Sequence, residues 1–118
     1  MRNFRKWDVW QNSRILVKKI YNTTSGFPSE ERFGLISQLR RAVVSIPSNI
    51  AEGAGRNTEK DFRHFLYTAM GSAFEVETLL ILSVDIGLIA DSQSEELITE
   101  LTVIQKQLNS FISKLSKA

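Results

Sequence analysis

The sequence predicts an all-α fold: an antiparallel up-down-up-down four-helix bundle whose copies assemble into a homo-oligomer. Three observations lead there. Apolar residues recur at steps of three and four in four long segments, and no stretch alternates apolar with polar as a half-buried strand does. Glycine, proline and small polar residues at 23–28, 53–57 and 87–91 divide those segments by short loops. The third segment is more apolar than one bundle needs.

Helix one, about 8–22, places Val9, Trp10, Leu16, Val17 and Ile20 along one face. Helix two, about 29–52, repeats Leu35/Ile36, Leu39, Val43, Ile46 and Ile50. Pro28 suits its first turn, and Glu30 and Glu31 complement its dipole. Pro47 lies inside it, removing one backbone donor and crowding the Val43 carbonyl at a cost of about 3 kcal/mol. A kink is expected there, or a restart with Ser45 as cap. Gly53 and Gly87 stand where helices end in the left-handed conformation. Helix three, about 59–85, repeats Phe62, Phe65/Leu66, Ala69, Ala73, Val76 and Leu80. Thr58 with Asp61 resembles a capping box at its start. Helix four, about 93–115, repeats Leu97, Leu101, Ile104, Leu108, Phe111/Ile112 and Leu115, with Ser92 and Glu95 as its capping box. Helix three also carries a second stripe, Tyr67, Met70, Phe74 and Ile81, and is apolar on every side over 79–82. A helix apolar all round needs partners all round, so copies are expected to meet here.

Composition limits the chemistry. The 118 residues form one domain by length, 1–118. They include one histidine and no cysteine. That excludes disulfides, thiol catalysis, cysteine-ligated metals and a multi-histidine metal site within one chain. Asp61 and His64 stand at i, i+3, but a di-iron bundle needs two Glu-based pairs of that kind and two further glutamates. No serine stands in a catalytic context. The expectation is a protein that is not an enzyme and takes no cofactor and no metal. A basic N-terminus with no apolar stretch behind it predicts no signal peptide. The apolar run 79–90, interrupted by Ser83 and Asp85, falls short of the ~20 residues of a span. A cytoplasmic protein without a membrane partner is expected.

The stretch 34–53, with Gln38-Leu39-Arg40-Arg41-Ala42 and Ser45-Ile46-Pro47-Ser48-Asn49-Ile50-Ala51-Glu52-Gly53, is followed by Arg56, Phe62, Phe65-Leu66, Ala69, Gly71-Ser72 and Glu75. This string resembles the four-helix bundle proteins encoded in intervening sequences of bacterial 23S ribosomal RNA genes, from Trp7 to the last helix. The resemblance implies an antiparallel bundle that assembles into a ring, a pentamer. It further implies similarity to the accessory variability determinant of diversity-generating retroelements, a pentameric bundle that binds nucleic acid. Fold carries over from such a likeness better than function does.

Net charge is +2, unevenly spread. Residues 1–41 hold nine Lys/Arg against three Asp/Glu, a balance of +6, and residues 42–118 hold six against ten, a balance of −4. The candidate nucleic-acid-binding residues are Arg40, Arg41, Arg56, Lys60 and Arg63, which would neutralise phosphates. The competing reading pairs them with Glu52, Glu59, Asp61 and Glu75, and it takes precedence for Arg41 and Arg56. A second basic set, Arg2, Arg5, Lys6, Arg14, Lys18 and Lys19, flanks Trp7 and Trp10; there the tryptophans are read as core anchors and the lysines as a solvated face. The loop 53–58 is read as a helix stop followed by a helix cap, ahead of a phosphate cradle. Gln38, Arg41, Ser45, Asn49 and Glu52 on helix two, with Thr68, Ser72 and Glu75 on helix three, form a polar stripe read as a subunit seam ahead of a buried hydrogen-bond network or a ligand site. The expected function is an oligomeric bundle that holds RNA or DNA through phosphates. The alternative is a scaffold that recruits another protein and has no nucleic-acid role.

Overall fold

The computed structural model describes residues 2–116. Its described residues form four α-helices and no strand: α1 (Asp8–Thr24), α2 (Leu35–Ala54), α3 (Glu59–Asp85) and α4 (Asp91–Ser116). One 3-10 turn, Phe4–Lys6, precedes α1, and another, Ser29–Glu31, precedes α2. The molecule measures 46 × 23 × 20 Å. Its length is that of α3, since 27 residues at 1.5 Å each span about 40 Å.

Each helix packs on its sequence neighbours, and α1 also meets α4, while the backbones of the diagonal pairs α1/α3 and α2/α4 do not approach closely. Specific pairs fix the heights. Asn12 Nδ2 donates to Gln107 Oε1 (3.1 Å) and Lys19 pairs with Glu100 (2.8 Å) between α1 and α4. Ser45 and Ser72 share a hydrogen bond between α2 and α3 (2.8 Å), and Gln105 Nε2 donates to Glu77 Oε1 between α4 and α3 (2.9 Å). The core is the set of stripes read from the sequence: Leu16, Ile20, Leu39, Val43, Ile46, Ile50, Phe62, Leu66, Ala69, Ala73, Val76, Leu80, Leu101, Ile104 and Leu108 are all buried. Trp7, Phe62 and Phe111 close one end with ring centroids 4.9–5.7 Å apart. Trp7 and Trp10 are half-buried against the core.

Several helix ends differ from the sequence reading. Helix two begins at Leu35, not 29. Pro28 instead precedes the 3-10 turn, and Glu31 Oε1 accepts from the Leu35 N–H at 3.2 Å, capping α2 from outside it. α2 runs through Pro47 without a restart, so Ser45 is an interior residue rather than a cap. Gly53 is not a left-handed stop, because α2 continues to Ala54 and Gly87 (φ 81°) has the one positive φ among the described residues. Gly53 serves a close crossing instead. A Cβ there would lie 2.8 Å from Phe65 Cβ and 3.2 Å from the Phe62 carbonyl. Helix four begins at Asp91, which places Ser92 inside it and not at its cap. Thr58 does cap α3, its hydroxyl accepting from the Asp61 N–H at 3.1 Å. By length and composition α3 is also apolar enough to cross a membrane, which the run 79–90 alone was not, with a mean hydropathy of 1.3 over 18 residues. Its buried stripe packs on α2 and α4.

Candidate nucleic-acid interface and assembly surface

The five residues Arg40, Arg41, Arg56, Lys60 and Arg63 do not form one patch. About 21 Å of α2 separates Arg40 from Ala54, at 1.5 Å per residue. Arg40 Nε donates to Thr24 Oγ1 at 2.9 Å, its Nη2 reaches the Tyr21 carbonyl at 3.4 Å, and its guanidinium lies 4.5 Å from the Tyr21 ring centre. Arg63 Nη1 donates to the Leu115 carbonyl at 3.5 Å. Arg2 Nη1 donates to the carbonyls of Ala54 (3.3 Å) and Arg56 (2.6 Å) and its guanidinium covers Phe62. Three arginines thus serve the C-terminal ends of α1, α2 and α4. Orphan carbonyls and the negative end of the helix dipole gather at such ends. Arg56 stacks on Phe65 at 4.5 Å and sits 3.9 Å from Glu52. That exposed pair is weak. The side chains of Arg41 and Lys60 are exposed and make no ion pair or hydrogen bond among the described residues.

A different grouping emerges at the end of the molecule where the first turn, the α2–α3 loop and the end of α4 meet. Arg2, Arg56 and Arg63 hold these segments together there. Lys6 and Lys114 line an open groove of about 470 Å³ beside Trp7 and Phe111. The side chains of Arg5, Lys6, Lys60 and Lys114 are exposed and carry no partner among the described residues. Residues 64–105, by contrast, hold seven acids and no Lys or Arg. On α1, Lys18 is exposed and unpaired among the described residues, and the Arg14 guanidinium lies 5.6 Å from the Trp10 ring centre. Among the described residues no group of three or more His, Asp or Glu side chains stands in metal-binding range.

The polar stripe is brought together only in its middle. Asn49 Nδ2 donates to the Ser45 carbonyl and hydroxyl (both 2.8 Å), and Ser45 meets Ser72. Gln38, Glu52 and Glu75 are exposed, with Glu52 turned to Arg56. The second stripe of α3 is exposed at Tyr67 (56%), Phe74 (54%) and Ile81 (46%). Met70 is not part of that outer line, since it is half-buried against the core. Over 79–82 the helix divides, with Leu79 and Leu80 buried and Ile81 and Leu82 exposed. Sequence reasoning missed Phe33, which is 89% exposed, and Ile86. Neither lies inside a helix, so periodicity carries no signal for them.

A family model described as "23S rRNA-intervening sequence protein" matches residues 5–110. Among solved structures, the chain is similar to a protein of unknown function from the S23 ribosomal protein family of Bacteroides thetaiotaomicron VPI-5482. The two share 30% identity over 88% of this chain and 97% of that one, with a TM-score of 0.82. No curated protein sequence matches. A match across 5–110 and an all-helical relative superposing over nearly its whole length lead to one conclusion: the chain belongs to the 23S rRNA-intervening sequence protein family.

Proposed function

We propose that the protein is a non-enzymatic, cytoplasmic module: an antiparallel up-down-up-down bundle, assembled as a ring-shaped homo-oligomer, that holds RNA or DNA by its phosphates. Asn12–Gln107 with Lys19–Glu100, Ser45–Ser72 with Gly53–Phe65, and Glu77–Gln105 with Arg63–Leu115 run in opposite senses along neighbouring helices, which supports the antiparallel reading. The exposed Tyr67, Phe74 and Ile81 support assembly. The pentamer is what the sequence resemblance to the intervening-sequence proteins implies, and nucleic acid as ligand is what their expected likeness to the accessory variability determinant implies. No membrane and no cofactor take part in this reading.

The observation that carries the nucleic-acid reading is the gathering of unpaired Arg5, Lys6, Lys60 and Lys114 at one end of the molecule. Copies standing side by side in a ring would repeat that end around one rim. Binding there is counterion release with little base reading. The test is a salt titration of binding to a generic duplex and to a structured RNA, starting at ~50 mM salt, where the electrostatic contribution is strong. Binding that weakens steeply with salt is expected. The triple variant K6E/K60E/K114E should lower the log–log slope by about 2–3, close to one for each phosphate no longer neutralised. Absence of binding at ~50 mM salt overturns the reading. The second reading, a protein-interaction scaffold, is favoured by the exposed Phe33 and Ile86, and it predicts an assembly that is unaffected by nucleic acid.

A further inference from the structure

Resting on the oligomer reading above, the geometry points to a specific, two-sided contact: the outer ridge of α3 in one copy seats in the groove between α1 and α2 of the next. The ridge is Tyr67 and Phe74, seven residues apart and so about 10 Å along the helix. Gly71 stands between them, exposed, with nothing within 4 Å of where its Cβ would be. A glycine in an exposed helix interior lowers helix stability relative to alanine, and no contact within the chain accounts for this one.

The groove is open, about 360 Å³, and mostly apolar. Trp10, Val17, Val44, Pro47 and Ala51 line it, with Arg14 at its rim. It too is seven residues long on each wall, Trp10 to Val17 and Val44 to Ala51. Ridge and groove therefore match in length.

They also match in height. Ser72 bonds Ser45, and Gly53 abuts Phe62 and Phe65, so 67–74 on α3 stand level with about 44–51 on α2. Copies placed side by side meet without sliding along their axes. Contacts between two different surfaces close into a ring only when no such translation accumulates; otherwise they grow a filament. The two faces lie on different sides of the bundle, because α1 and α3 are not neighbours.

Charge agrees with shape. Glu75 is exposed beside Phe74, in the segment 64–105 that has no Lys or Arg. Arg14 and Lys18 are exposed on α1, which has no acid after Asp8. Each surface would repel its own kind and attract the other, which favours the heterologous contact over α3 against α3.

The chain has no cysteine, so disulfide trapping reads this contact directly. Phe74→Cys and Val44→Cys replace exposed side chains on ridge and groove. The two variants, one carrying a mass tag, are mixed in equal amounts and oxidised gently, with light scattering run in parallel. The expected result is a mixed 74–44 disulfide at least tenfold above the 74–74 and 44–44 products. The double variant F74C/V44C should give a ladder that ends at the ring size. A dominant 74–74 product overturns the inference while leaving an oligomer. So does an intact oligomer without any 74–44 bond. A monomer by light scattering overturns the oligomer reading and this contact with it.

Discussion

Replacing Gly53 by alanine tests how α2 and α3 meet. The new Cβ would sit 2.8 Å from Phe65 Cβ, 3.0 Å from Phe62 Cδ1 and 3.2 Å from the Phe62 carbonyl. Phe65 Cβ and the Phe62 carbonyl are fixed to the α3 backbone, so no rotamer change relieves them and the helices must part. Overpacking of this kind costs typically 1–3 kcal/mol. Alanine also gains about 1 kcal/mol of helix propensity over glycine. With two of the three close atoms immobile, the cost falls in the upper part of its range, and the net loss is about 1–2 kcal/mol. At roughly 2.1 cal/mol/K of unfolding entropy per residue, that lowers Tm by about 4–8 °C for this chain. Gly55→Ala is the control: its nearest neighbour would be the Glu52 carbonyl at an ordinary 3.5 Å, and its φ is −85°. That variant should be neutral or gain up to about 1 kcal/mol. Urea and thermal unfolding followed by circular dichroism measure both. A G53A protein as stable as its parent would refute the close crossing. Equal losses at 53 and 55 would restore the view of this loop as a left-handed helix stop.

Thr58→Ala removes the acceptor for the Asp61 N–H and should cost about 1 kcal/mol in the same unfolding assay. Arg40→Ala should cost about 1–2 kcal/mol by removing the bond to Thr24 and the stacking on Tyr21, although part of the side chain is exposed. Arg41→Ala, one residue on and without a partner among the described residues, should change stability by less than about 0.5 kcal/mol. Equal effects at 40 and 41 would contradict the helix-end role of Arg40.

Much of the fold was legible because helical periodicity and burial are the same fact seen twice. The stripes Leu39–Val43–Ile46–Ile50 and Phe62–Leu66–Ala69–Ala73–Val76–Leu80 are buried as the spacing predicts. Thr58 was legible for the same reason, since a cap acts within one turn. The start of α2 was not. Whether Glu31 serves as a first-turn residue or as an outside cap depends on the turn that Pro28 and Gly34 impose, and either reading satisfies the same dipole. Gly53 was misread because a stop and a close crossing both call for glycine, and the second is visible only once Phe62 and Phe65 arrive from α3. The arginines were the hardest. Arg40, Arg63 and Arg2 look alike in sequence to free phosphate binders, yet each is bound to a carbonyl or hydroxyl at a helix end. Two of those bonds span about fifty residues of chain, a separation that local pattern cannot read.

Assembly depends on whether one copy of the chain is stable with Tyr67, Phe74 and Ile81 left in water. Molar mass by light scattering at micromolar concentration decides it. A ring of copies gives a single species at a whole-number multiple of 13.4 kDa, five for the pentamer, which falls apart in the Phe74→Glu variant. A soluble, well-folded particle of 13.4 kDa across that concentration range would contradict it.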